Sequence, residues 1–219
     1  EGPLRKLYRE HKVGKVSSKW SSYFPIYDKW FAPYREQPIK MLEIGVQNGG
    51  SLEMWARYFK QAETIVGCDV NPAVSNLVYQ DPRVKVVVGA ASQQPAFDVI
   101  NAHGAGGFDL IIDDGSHRSI DTISNFLMFF PMIKPGGLFV FTCASTGRAE
   151  HGTRRSDGSW AAPLLMEKDE WADYYKNLVA EDIAIIDGFV RMFPDGMFGY
   201  NGESCDLYFT GIKNGKDYL

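Results

Sequence analysis

Cysteine is scarce in this chain. Cys68, Cys143 and Cys205 stand among 219 residues with no Cys-x-x-Cys spacing, which argues against a disulfide framework or a zinc knuckle and leaves three buried thiols. Long apolar runs are missing too. The longest, residues 126–133 and 138–141, fall far short of the roughly 20 residues that cross a bilayer. The opening EGPLRKLYRE has no apolar signal core, so a soluble, cytoplasmic chain with no membrane partner is expected. Charge of one sign is also lacking: 23 Lys and Arg stand against 27 Asp and Glu, a net −4 that gives no general reason to bind nucleic acid. There is no internal repeat or low-complexity tract. A composition of 45% hydrophobic and 14% aromatic residues is globular and excludes disorder, collagen and coiled coil. At roughly 150 residues per domain, this length predicts one domain with an appended arm.

The small net charge hides an uneven distribution. Residues 1–40 hold nine Lys and Arg against four Asp and Glu, leaving 14 against 23 in the rest. A basic arm docking on an acidic body accounts for this better than a polyanion site, because the arm also carries Trp20, Tyr23, Phe24, Tyr27, Trp30 and Phe31 at the spacing of one helical face. Residues 1–38 are therefore read as a helical arm or lid, and 39–219 as the main domain. The arm could cover a substrate, contact another copy in a homo-oligomer, or belong to the core. Burial is the safest expectation, with Tyr23 and Tyr27 the nearest candidates to reach a site.

From residue 39 onward strands and helices alternate. Apolar runs at 39–44, 64–68, 84–88, 108–112 and 138–141 end in glycine, aspartate or a turn, and helical spacing follows the first at Leu52, Trp55, Tyr58 and Phe59. Asn71-Pro72 opens another helix, and Ile120, Ile123, Leu127 and Phe130 keep helical spacing. Continuous rather than alternating apolar strands mean a parallel sheet covered on both faces, so the fold class is α/β, doubly wound and Rossmann-like. Residues 142–163 form a polar segment too long for an ordinary connection, helix resumes at 167–178, and strands at 196–200 and 206–212 suggest a C-terminal antiparallel hairpin.

In such sheets ligands bind beyond the carboxyl ends of the strands. There the chain reads Glu43-x-Gly45-x-x-x-Gly49 with Ser51 opening the helix, rather than the dinucleotide pattern G-x-G-x-x-G. Glu43 would repel a pyrophosphate but suits a cation, which disfavours a nicotinamide oxidoreductase. Gly45 and Gly49 let the backbone approach a ligand closely. Asp69, ending the second strand, can accept both ribose hydroxyl protons. A cation joined to a free ribose describes S-adenosylmethionine.

MLEIGVQNGGS, VGCDVNP, FDLIIDDGSH and IKPGGLFVF, spanning residues 41–141, resemble successive motifs of the class I S-adenosylmethionine-dependent methyltransferases, and the first and third are similar to the macrolide-sugar O-methyltransferase type. The resemblance implies methyl transfer to a hydroxyl of a small molecule, a sugar or glycosylated natural product. It implies His117 as general base, Asp114 as a metal ligand for Mg²⁺, and Asp113 positioning the amino-acid end of the cofactor. Two departures stand out. Gly89-Ala90-Ala91-Ser92 lacks the aspartate that often meets the adenine amine, leaving backbone, Ser92 or Gln93. Thr142 and Cys143 occupy the positions of an acidic pair, so Mg²⁺ would have one obvious carboxylate, a weak site. Arg148, Arg154 and Arg155, with His151 among them, suggest an acceptor carrying an anionic group, and His151 is a second candidate base. A scaffold that binds the cofactor or assembles without catalysis is the alternative.

Overall fold

The computed structural model of the chain describes residues 1–11, 13–17, 19, 23–116, 119–143, 153–154, 160–161, 198–200 and 205–213. The chain divides into two compact units, Glu1–Gly115 and Ser116–Leu219.

The first unit holds four parallel strands: β1 (Lys40–Ile44), β2 (Thr64–Asp69), β3 (Val84–Val88) and β4 (Phe108–Asp113), in the order β3-β2-β1-β4. β1 is central, so Leu42, Val66 and Ile111 are wholly buried, as continuous apolar strands require. Its helices are α1 (Pro3–Glu10), α2 (Tyr23–Phe31), α3 (Gly50–Tyr58) and α4 (Gln94–His103). α3 seats on β2 where only glycine fits, since a Cβ on Gly67 would lie 2.5 Å from Leu52 Cδ1. Arg83, just before β3, closes the far end of α3: its guanidinium donates to the carbonyls of Ala56, Phe59 and Lys60 at 2.9–3.0 Å and pairs with Asp81 at 2.6 Å.

α2 answers the question of the arm's aromatics by joining this core. Tyr27 stacks on Phe31 at 4.8 Å, and both meet the edge of Trp55 on α3 at 5.9 and 5.7 Å. Tyr27 is 1% exposed, so it is a core residue rather than one reaching out to a ligand. α2 begins at Tyr23; Trp20 lies outside the described residues, and Trp30 is part-exposed beside Lys29.

Several elements differ from expectation. The segment opened by Asn71 is a single stretch of 3-10 helix, Pro72–Asn76, with the Asn71 side chain accepting from Ala73 N at 3.0 Å. α1 and α4 have no counterpart in the sequence reading. In each a proline starts the helix, and the buried face is small: Leu4 in one, Ala96 and Ile100 in the other.

The second unit holds α5 (Ser119–Phe129) and β5 (Ile133–Cys143), which begins ahead of the apolar run at 138–141 that marked it in the sequence and takes in Pro135, Gly136 and Gly137. Short strands β6 (Thr153–Arg154) and β7 (Trp160–Ala161) pair antiparallel within the polar segment. β8 (Phe198–Tyr200) and β9 (Cys205–Lys213) also pair antiparallel, and β9 runs antiparallel to β5. The helix expected at 167–178 lies outside the described residues. Among the described residues no helix is long and apolar enough to cross a membrane.

Candidate functional site

Parallel register brings the carboxyl ends of β1, β2 and β4 to one edge. Ile44 is level with Cys68 on one side and with Asp113 on the other, so Glu43, Asp69, Asp113 and Asp114 gather there.

Asp69 fastens the turn that follows β1. Its Oδ2 accepts from Val46 N at 2.8 Å and Gln47 N at 2.9 Å, and its Oδ1 accepts from Asn71 N at 2.9 Å. Gln47 accordingly stands at a φ of 52°, rare for a side-chain-bearing residue. A carboxylate has about four acceptor positions, so these three bonds leave acceptor capacity for a ligand. Beneath it, Cys68 is a buried thiol whose pKa is pushed up to about 12 by burial and by Asp69; its Sγ donates to Gly89 O at 3.3 Å. The side chains of Cys143 and Cys205 lie outside what is described.

The glycines are tight for two different reasons. Gly45 has a φ of +93°, and a Cβ there would lie 2.2 Å from the carbonyl oxygen of Asp114, so the loops after β1 and β4 touch backbone to backbone. Gly49, at φ +84°, is the left-handed cap of α3, and its carbonyl accepts from Tyr79 Oη at 3.0 Å.

Glu43 is fully buried, and both its oxygens are engaged. Oε2 accepts from Ser51 Oγ at 2.5 Å, and Oε1 lies 3.1 Å from the ammonium of Lys19. The same ammonium contacts Asp114 Oδ2. Burial alone would lower the Lys19 pKa, but Asp114 and Glu43 outweigh it and hold the group above the ordinary lysine range. Asp113 is buried at 3% exposure and accepts from Gly115 N through Oδ1 at 3.1 Å.

The structure thus brings together Glu43, Gly45, Ser51, Asp69, Asp113 and Asp114, with Gly49 at the head of α3. It puts Ser51 on Glu43 and leaves Ser92, in the turn between β3 and α4, half-buried. His117 and His151 lie outside the described residues. On either side of His117 in the sequence, Ser116 Oγ donates to Asp121 Oδ2 at 2.7 Å. Local patterning does not reveal Lys19, whose partners are 24 and 95 residues away; the positive surplus of the arm is its only trace in the sequence.

Among the described residues no three His, Cys, Asp or Glu side chains come together as a metal would need, and an ammonium is already seated on Asp114. The described residues of this edge therefore do not fit a resident divalent ion. They do fit an adenosyl cofactor: a carboxylate with acceptor capacity left, beside a glycine turn with no side chain in the way.

Residues 42–142 match the family model described as a methyltransferase domain. The chain's relatives are of the macrolide- and tetracenomycin-sugar type. It is 38% identical over 133 residues to the 8-demethyl-8-alpha-L-rhamnosyl tetracenomycin-C 2'-O-methyltransferase of Streptomyces olivaceus, covering 57% of this chain and 34% of that protein. It is 30% identical over 188 residues to the corresponding 3'-O-methyltransferase of the same organism, covering 78% and 46%. Among solved structures, the MycE methyltransferase of mycinamycin biosynthesis, in complex with Mg and SAH, superposes with a TM-score of 0.53 at 32% identity over 64% of this chain and 37% of that one. The chain thus spans about a third to a half of the length of these relatives. The fold is Rossmann-like, a mainly parallel sheet with helices.

Proposed function

We propose that the chain transfers a methyl group from S-adenosylmethionine to a hydroxyl of a small molecule, a sugar of a glycosylated natural product. The observation that carries this reading is the acidic edge at the ends of β1, β2 and β4, lying within a domain similar to sugar O-methyltransferases. When bound, the cofactor supplies a methyl carbon already activated by a sulfonium. The residues have only to hold it, align the acceptor and remove one proton.

Asp69 accepts a ribose hydroxyl with its remaining acceptor capacity. The turn at Gly45 and Gly49 admits the cofactor closely, Asp113 orients its amino-acid end, and Ser92 is the side chain offered to the adenine. His117 takes the proton from the acceptor hydroxyl as oxygen bonds to the methyl carbon, and the electron pair of the broken carbon–sulfur bond stays on sulfur. Arg148, Arg154 and Arg155 receive an anionic group of the acceptor, with His151 as a second base. The arm brings Lys19 to this edge, and the β8–β9 hairpin extends from β5.

Turnover tests the reading. Incubation with S-adenosylmethionine and a panel of rhamnosylated and related glycosides should yield S-adenosylhomocysteine and an acceptor heavier by one methyl group. Tight cofactor binding with no turnover across the panel would favour a non-catalytic scaffold. Calorimetric binding of NAD without S-adenosylmethionine would overturn both.

A further inference from the structure

The arm contributes more to this edge than a cover. Lys19 is 4% exposed, and the carboxylates it joins are 0% and 17% exposed. Two carboxylates brought together in so dry a place repel each other unless a cation lies between them, because little water remains to screen them.

Nor is Lys19 a surface side chain that happens to fold inward. The arm is fixed on its way in. Lys15 pairs with Glu53 at 3.0 Å, donates to Val78 O at 2.6 Å and lies over the Tyr79 ring at 4.7 Å. The backbone of Lys15 and Val16 runs so close to the start of α3 that a Cβ on Gly50 would lie 2.1 Å from the Val16 carbonyl carbon. Lys19 N itself donates to Tyr8 Oη at 3.2 Å. Ser51 completes the arrangement by holding the second oxygen of Glu43. With Lys19 in place, Glu43, Asp114 and the ammonium carry one net negative charge, which matches a single cationic group on a ligand.

We infer that Lys19 is a positioning residue of the methyl-transfer site: the ammonium joining Glu43 to Asp114 is the fixed positive charge around which the reacting end is assembled, and it makes cofactor binding independent of a divalent ion. This rests on the methyltransferase reading of the edge. It adds that the arm is part of the site, and that Asp114 is oriented by a residue of the chain itself.

The test is calorimetric binding of S-adenosylhomocysteine to the full chain, in EDTA and in millimolar Mg²⁺, for wild type, Lys19→Ala and the double variant Lys19→Ala/Asp114→Asn. Wild type is expected to bind equally well, within about twofold, in EDTA and in Mg²⁺. Lys19→Ala is expected to lose about tenfold or more, because it leaves two carboxylates facing each other without a counter-charge. Two measurements separate positioning from simple folding. An added alkylammonium salt should restore part of the lost affinity where sodium chloride at equal ionic strength does not, and the double variant should recover part of the loss by removing one of the opposed charges. Lys19→Ala binding as tightly as wild type or tighter would overturn the inference, tighter binding showing that the ammonium competes with the cofactor. A loss that neither the alkylammonium nor the second substitution relieves would also overturn it, as would collapse of wild-type binding in EDTA. If wild type binds no S-adenosylhomocysteine under either condition, the methyltransferase reading itself has failed.

Discussion

Asp69 and Asp114 both follow parallel strands on one edge of the sheet, yet they are held in opposite ways. Asp69 is fixed by backbone N–H groups, all within 23 residues of it in sequence. Asp114 is fixed by an ammonium from 95 residues away, and its backbone by Ile44 O at 2.8 Å. The first arrangement is local and built into the turn it stabilises, so it suits a binding contact that must be in place before any ligand arrives. The second depends on the arm being seated, so the β4 end is complete only when the whole unit is. Under the proposed function, the β2 end is the binding contact and the β4 end the place of chemistry.

That division can be broken by kinetics. The largest expected effect is at His117. His117→Ala should lower kcat by roughly 10²–10⁴-fold while the dissociation constant of S-adenosylhomocysteine stays nearly unchanged. With the ordinary histidine pKa of about 6.5, wild-type rate should rise with pH through that value, because the base must be neutral to accept a proton. Near-wild-type turnover in a folded variant would move attention to His151.

Asp69→Ala should do the reverse. Loss of a hydrogen bond to a charged group costs about 1.5–3 kcal/mol, so cofactor affinity should fall by about one to two orders of magnitude with kcat at saturation largely kept. If both substitutions shift both parameters alike, the comparison does not hold.

Gly45→Ala tests the point where the two ends touch. A positive φ and a Cβ pressed on the Asp114 carbonyl should together cost about 2–4 kcal/mol of stability, read from the denaturant midpoint, and should weaken cofactor binding as well.

The smallest effect is expected away from the site. Arg83 holds the Asp81 carboxyl below the usual carboxylate range mainly through their hydrogen bond, so the stabilisation of that pair is present above that range and is lost as pH falls through the lowered value. The difference in Tm between wild type and Arg83→Met should therefore narrow below about pH 4.

How legible each part was follows from the reach of the forces involved. The strands of the first unit could be read to within a residue, β3 to the residue, because each is a short run rich in apolar residues between turn residues. α1 and α4 escaped because so few of their residues are buried; Val99, in the middle of α4, is 46% exposed. The acidic residues of the edge were legible from their place at strand ends. How they are satisfied was not, since Ser51 meets Glu43 across the loop between β1 and α3 and Lys19 meets Asp114 across nearly half the chain. Periodicity sees neighbours, and a long-range ion pair has none in sequence.

The span from Lys19 to Asp114 also sets an order of events during synthesis. The arm leaves the ribosome first, but its anchor emerges 95 residues later, which at about 5–20 residues per second is a delay of roughly 5–20 s. Through that interval Tyr27 and Phe31 wait for Trp55 and Phe59, and Lys19 waits for Asp114, before the arm can close. A nascent chain halted before residue 114 would expose an unfastened aromatic arm, a natural hold point for a chaperone and a natural place for protease nicking.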